Sequence, residues 1–223
     1  MTAVPSVSVV MPAFNASRFI SEAIESVRAQ TVPAAEVIVV DDGSDDDTAD
    51  IADGLGAHVL RHPHHGSATA RNAAIGASRG DVLAFLDADD VWLPRKLELQ
   101  LGVLASDPSA DAVSSLVDEF LDVPDGASAA VRSPRLGVPG ALSSAIMVRR
   151  SVIDRLGPFD AGKPGADWLD WWARARRLGI EERIVPEVLM RRRIHGSNSS
   201  ATDDGTFLLS IARDHRRRLR AQP

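Results

Sequence analysis

The sequence predicts an α/β protein in which a mostly parallel sheet is flanked by helices. Three observations carry this. Short apolar runs alternate with stretches of helical periodicity through residues 7 to 105, two of those runs end in clusters of aspartate, and 44% of the 223 residues are hydrophobic, enough for a sizeable core. Alternating strands and helices imply right-handed crossovers and a Rossmann-like sheet, since parallel neighbours can be joined only by a connection that crosses a sheet face.

In order, Val7 to Phe14 is a β-branched strand that ends in Pro-Ala-Phe-Asn. From Ser17, the apolar residues Phe19, Ile20, Ala23, Ile24 and Val27 recur at helical spacing. Glu36 to Val40 is the second strand, closed by Asp41-Asp42-Gly-Ser and followed by a short helix to about Ala52. Ala57 to Arg61 makes a third strand, Gly66 to Ala77 a helix, Val82 to Leu86 a fourth strand, and Pro94 to Ala105 a helix. Beyond that point the pattern loosens. Ala112 to Phe120, Ala145 to Val148 and Ile184 to Ile194 read as strands, Ser151 to Leu156 as a helical turn, and Asp167 to Leu178 as a helix whose three tryptophans supply core. Residues 123–140, rich in Pro, Gly, Ser and Ala, read as a loop, and Thr206 to Arg220 as a C-terminal helix. Its Arg-rich end, Arg216 to Arg220, reads as solvated, with peripheral contact to an anionic membrane surface as the alternative.

Composition excludes several functions. A net charge of -6 gives no support to nucleic-acid binding, and a chain without cysteine has no disulfide, thiolate nucleophile or cysteine-bound metal. The N-terminus lacks the basic-then-apolar pattern of a signal peptide, and no run reaches the roughly 18 apolar residues of a membrane span. The expectation is one cytoplasmic domain over residues 1–223.

The chemistry concentrates at Asp87, Asp89 and Asp90, delivered by the fourth strand to the sheet edge where ligands of open α/β sheets collect. Alternate residues of an extended chain project to one side, so Asp87 and Asp89 converge if strand geometry persists. Carboxylates brought together repel unless a cation sits among them, and a hard ion such as Mn²⁺ or Mg²⁺ typically takes one or two carboxylates plus substrate phosphates. The alternative is a solvated acidic turn in which one Asp caps the next helix.

Taken together, Ser8-Val-Val-Met-Pro-Ala-Phe-Asn, Ser26-Val-Arg-Ala-Gln-Thr, Val37-Ile-Val-Val-Asp-Asp-Gly-Ser, Ala70-Arg-Asn-Ala-Ala-Ile and Gly80-Asp-Val-Leu-Ala-Phe-Leu-Asp-Ala-Asp-Asp-Val-Trp resemble, in order and spacing, glycosyltransferase family 2 of the GT-A fold. Residues 106–223 match more loosely, through Gly157-Pro-Phe-Asp, the Asp167 region and Arg192-Arg-Ile-His-Gly-Ser-Asn. The resemblance implies a nucleotide-sugar-binding half over 1–105 and an acceptor-side half over 106–223. It further implies a divalent metal, direct displacement with inversion, and an acceptor hydroxyl of unknown identity. It places Pro12, Ala13 and Phe14 at the nucleotide base. Asp42, with Asp41 beside it, is placed on a pyrimidine ring N–H, which suits uracil or thymine because a carboxylate only accepts. A turn and helix cap is the local alternative for these two. Gly66, Arg71, Asp87 and Ala88 fall on the donor side, with an Arg71 ion pair to Asp81 or Asp87 as the alternative to a phosphate contact. His64 and His65 are left without assigned chemistry.

The resemblance makes Asp89 the first metal ligand, adds His195 as a second, and offers Arg192 and Arg193 to the diphosphate. The base that takes the acceptor proton in this family comes from a Glu-Asp motif at the head of a helix. Here Ala166 stands where Glu is usual, which leaves Asp167 as the favoured base and Asp170 as the alternative. The chain lacks the Gln-x-x-Arg-Trp motif of processive members, so single-sugar transfer is expected. Two competing readings are a degenerate sugar-nucleotide binder and a nucleotidyltransferase; the second normally has a Gly-rich loop after the first strand, unlike Pro12-Ala-Phe-Asn.

Overall fold

The computed structural model describes residues 4–122, 136–139 and 142–195. Most of the expected loop over 123–140, and the expected C-terminal helix over 206–220, lie outside them.

The first half is built as its sequence pattern requires. Strands β1 (Val7–Ala13), β2 (Glu36–Asp41), β3 (His58–Arg61) and β4 (Val82–Phe85) alternate with helices α1 (Ile20–Arg28), α2 (Thr48–Gly54) and α3 (Ser67–Ala77). They pair in parallel in the order β3-β2-β1-β4. Both faces are covered, so the strands read as continuous apolar runs and not as alternating ones. Val7, Val9 and Met11 pack towards α1, α2 and α4 (Lys96–Ser106), whereas Val10, Ile38 and Val40 pack towards α3, α5 (Arg150–Leu156) and α6 (Asp167–Arg177). Only glycine fits at position 80, where a Cβ would lie 2.6 Å from the Ser8 backbone nitrogen as the chain enters β4 against β1.

The second half extends the same sheet with mixed pairing. Strand β8 (Met147–Arg149) is antiparallel to β4, and β6 (Ala112–Leu121) is antiparallel to β8. A long parallel ladder then joins β6 to β9 (Glu182–Ile194), with irregularities between Ser115 and Val117. Two short strands went unforeseen: β5 (Val91–Trp92) pairs with β9, and β7 (Val138–Pro139) pairs with β6, inside the stretch read as loop. The three α6 tryptophans are core, as expected. Trp168 and Trp171 stack with Phe159 and meet Phe85 of β4 edge-on, and Trp172 stacks on the other two tryptophans. That packing fixes the head of α6 close to the end of β4, which positions the site.

Candidate active site

Because β1, β2 and β4 run parallel, their C-terminal ends open on one edge, and the three loops meet there. The acidic turn after β4 does not continue as a strand. β4 ends at Phe85, and the Asp90 amide donates to the Asp87 carbonyl at 3.1 Å, so the chain folds back. The convergence of Asp87 and Asp89 expected from strand geometry is therefore corrected: the turn sends the three carboxylates to different partners. Asp87 accepts from Arg71 Nη2 at 2.8 Å and from Ser143 Oγ at 2.8 Å. Asp89 Oδ2 lies 3.0 Å from His195 Nε2. Asp90 is buried and accepts from the Arg193 amide at 3.1 Å. Burial, then the charges of Asp89 and Asp87, push the Asp90 carboxyl well above the usual range. Ala88 is buried with its methyl in the core.

The Asp89–His195 pair fits a divalent ion. Two donor atoms held about 2.1 Å from one octahedral ion and at right angles lie about 3.0 Å apart, the separation found here. A carboxylate with an imidazole suits Mn²⁺ better than Mg²⁺. Among the described residues no group of three or more His, Cys, Asp or Glu surrounds one point, so the remaining positions fall to phosphate oxygens and water. His195 is buried and packs on the Phe19 ring, centroids 4.5 Å apart, which holds its imidazole in place.

Arg71 on α3 is a buried hub. Its Nη1 donates to Asp167 Oδ2 and its Nη2 to Asp87, while its Nε has no hydrogen-bond partner among the described residues. Burial works against its charge, but the Asp87 and Asp167 carboxylates outweigh it and raise the pKa. The ion pair with Asp87 is thus the outcome for Arg71, in place of a free fork for phosphate; Asp81 instead accepts from Ser6. Through Arg71 the head of α6 is tied to the end of β4. Asp167 lies in that junction, whereas Asp170 points to Lys163 and Arg174. The Lys163 ammonium, with Arg174, holds Asp170 below the usual carboxylate range, which weakens it as a base.

On the nucleotide side, the Asp41 and Asp42 carboxylates are both buried, the first bonded within its own loop and the second to the β3–α3 loop. Asp41 accepts from Ser44 Oγ. Asp42 accepts from the amides of His65 at 2.9 Å and Gly66 at 2.8 Å, and its Oδ2 lies 2.9 Å from His64 Nδ1. Gly66 sits at φ +90°, a conformation that side chains rarely adopt, and so lets the chain turn into α3. Of the three residues ending β1, Ala13 is buried, Pro12 is partly covered, and Phe14 is 46% exposed. The Phe14 ring is stacked on His64, centroids 4.2 Å apart. His64, passed over in the sequence, thus belongs to the aromatic surface at this end.

Arg192 and Arg193 of β9 are committed to protein groups. Arg192 faces Glu119, with Nη1 3.5 Å from Oε1. Arg193 reaches Glu22, Asp122 and the Asp89 carbonyl, which corrects its assignment to the diphosphate. Ser143 and Ser144, which hold Asp87 and Asp90, were also passed over. Nothing in a Ser-Ser pair before an apolar run signals such a role.

A parallel nucleotide-type sheet with an Asp–His pair at its ligand edge and an acidic helix head beside it defines a GT-A glycosyltransferase fold. The family model "Glycosyl transferase family 2" matches residues 8–157, and the chain belongs to that family. An uncharacterized glycosyltransferase of Nostoc sp. is 32% identical over 223 aligned residues, covering 86% of this chain and 66% of that protein. The chain thus spans about two thirds of the length of that relative. Two solved structures share the fold. Staphylococcus aureus TarS in complex with UDP-GlcNAc has a TM-score of 0.70 at 18% identity, covering 93% of this chain and 66% of that one. The mannosyltransferase PcManGT of Pyrobaculum calidifontis, in complex with GDP-Man and Mn²⁺, has a TM-score of 0.70 at 22% identity, covering 90% and 60%.

Proposed function

We propose that this chain is a metal-dependent inverting glycosyltransferase that moves one sugar from a UDP- or dTDP-sugar to an acceptor hydroxyl. The observation that carries the proposal is the 3.0 Å approach of Asp89 Oδ2 and His195 Nε2 at the C-terminal edge of the sheet. Family membership and the likeness to a structure holding GDP-Man and Mn²⁺ support it.

In this reading Asp89 and His195 hold Mn²⁺ or Mg²⁺, with Mn²⁺ the better match to the imidazole. The bound ion supplies positive charge that stabilises the departing nucleoside diphosphate. Phe14 offers its exposed face to the base, and Asp42 keeps the loop over 62–66 in place beside it. The preference for uracil or thymine rests on the family's use of the Asp42 position, where three contacts occupy all but about one of the roughly four lone-pair sites of a carboxylate. Arg71 orients Asp167 by one oxygen, Oδ2, and the other oxygen accepts the acceptor's proton as the hydroxyl attacks the anomeric carbon opposite the leaving group. The bond to the diphosphate breaks as the new glycosidic bond forms, so no covalent enzyme intermediate arises. No helix among the described residues is long and apolar enough to cross a membrane.

A second reading, a binder of sugar nucleotides without turnover, is favoured by Ala166 in the usual Glu position and by the burial of Asp167 against Arg71. Turnover of a panel of nucleotide sugars with and without Mn²⁺ separates the two. The transferase reading expects metal-dependent release of nucleoside diphosphate that falls by more than about 100-fold in Asp89→Ala. Equal release in that variant removes Asp89 from the mechanism, and tight donor binding without any release favours the binder.

A further inference from the structure

Arg193 is built into the site in a way that neither phosphate binding nor simple core filling requires. Its side chain is 6% exposed and lies between two aromatic rings, its guanidinium carbon 5.1 Å from the Phe19 centroid and 4.7 Å from that of Phe120. Its three nitrogens diverge to three elements. Nε donates to the carbonyl of Asp89 at 3.0 Å, Nη1 to Asp122 at the end of β6 at 2.6 Å, and Nη2 to Glu22 on α1. Its backbone amide donates to Asp90 Oδ1 at 3.1 Å. One residue therefore grips the acidic turn twice, by the carbonyl of Asp89 and by the carboxylate of Asp90. Two positions further along the chain is His195, which packs on the same Phe19 ring and meets the Asp89 side chain.

We propose that Arg193 is the positioning residue that sets the distance between Asp89 and His195, and so fixes the geometry of the cation site. The proposal rests on the metal reading of the Asp89–His195 pair and adds to it the residue that keeps the pair in register. The physical reason is the planar guanidinium. A fork anchored at both outer nitrogens by carboxylates cannot rotate, so Nε presents a fixed donor to the Asp89 carbonyl. The main chain of Arg193 then places the His195 ring relative to that fixed point. Lysine keeps the charge but cannot bridge Glu22, Asp122 and the Asp89 carbonyl in one plane. Groups that orient metal ligands typically change metal affinity by about 10–100-fold when altered.

The test is a titration of the whole chain with Mn²⁺ in the presence of UDP, read by the electron paramagnetic resonance of free Mn²⁺, alongside thermal melting of each variant. Arg193→Lys is expected to weaken Mn²⁺ binding by about tenfold or more while remaining folded at the assay temperature. Glu22→Gln, which alters only the solvent-facing anchor of the fork, is expected to weaken it by about threefold and decides the matter should Arg193→Lys fail to fold. A residue that only supports the fold would lower the melting temperature and leave the Mn²⁺ affinity of the folded protein unchanged. Wild-type affinity in folded Arg193→Lys, or in Glu22→Gln where the first variant is unfolded, overturns the role. Absence of Mn²⁺ binding by the wild-type chain overturns the metal reading itself, and this role falls with it.

Discussion

Two parallel strands of this sheet end in acidic turns, Asp41-Asp42 after β2 and Asp87 to Asp90 after β4, and the two are put to different uses. The first turn is tied down by its neighbours in the fold. Asp42 faces backbone amides of the β3–α3 loop, Asp41 faces Ser44, and the pair acts as a structural clasp. The second turn divides its carboxylates among an arginine, a buried amide and an imidazole from a distant strand. On the proposed metal reading, an acidic cluster becomes a ligand site when a neighbouring group, as His195 beside Asp89, could give its lone pair to the same ion. It becomes a cap when its neighbours are N–H donors.

Four variants test that contrast, from the largest expected effect on stability to the smallest. Arg71→Ala removes the cation shared by Asp87 and Asp167 and leaves two carboxylates unpaired, one of them buried. A loss of about 3–5 kcal/mol is expected in denaturant unfolding. A loss under about 1 kcal/mol would show that the β4 turn does not depend on its arginine.

Lys96 of α4 is fully buried and packs on Trp92 of β5, with Nζ 2.7 Å from Gln100 Oε1 and 4.2 Å from the Trp92 ring centroid. Burial lowers its pKa from 10.5 to about 7. Between those values the unfolded chain holds a proton that the folded chain refuses, so stability rises with pH across that window, and the penalty is fully present below about pH 7. Lys96→Met is expected to stabilise the protein at and below neutral pH, by at most about 5 kcal/mol before the lost Gln100 bond is subtracted. The gain should shrink as the pH rises towards 10. A gain independent of pH would refute the buried neutral lysine.

Asp42→Ala leaves the His65 and Gly66 amides without their acceptor, and a loss of about 2–3 kcal/mol is expected, together with faster hydrogen exchange at those amides. Protection unchanged from wild type would deny the clasp. Asp89→Asn should be the mildest of the four in stability, within about 1 kcal/mol, because its partner can instead be met by an amide. A large loss of stability in Asp89→Asn would make the second turn a clasp like the first.

The first half of the fold was legible because doubly buried parallel strands leave uninterrupted apolar runs that helices separate. β5 and β7 were not, since two-residue strands are defined by the partner they meet and carry no pattern of their own. The same limit governs the site. Asp89 and His195 stand 106 residues apart, and only the family resemblance linked them before the structure brought them within 3.0 Å. Arg193 and Arg71 illustrate the reverse. A guanidinium in a motif suggests phosphate, but its partners are chosen by folding, and here those partners are the protein's own carboxylates. The convergence of Asp87 and Asp89 failed for a local reason, as the chain turns between Asp87 and Asp90 and no longer keeps strand alternation.

The central claim is that Asp89 and His195 share a divalent ion with the donor diphosphate, and crystals grown with Mn²⁺ and UDP address it directly. The account predicts an anomalous manganese peak within about 2.3 Å of both the Asp89 carboxylate and His195 Nε2, with diphosphate oxygens completing the shell. UDP bound at this edge with Asp89 and His195 still bonded only to each other, or manganese bound elsewhere, would contradict it.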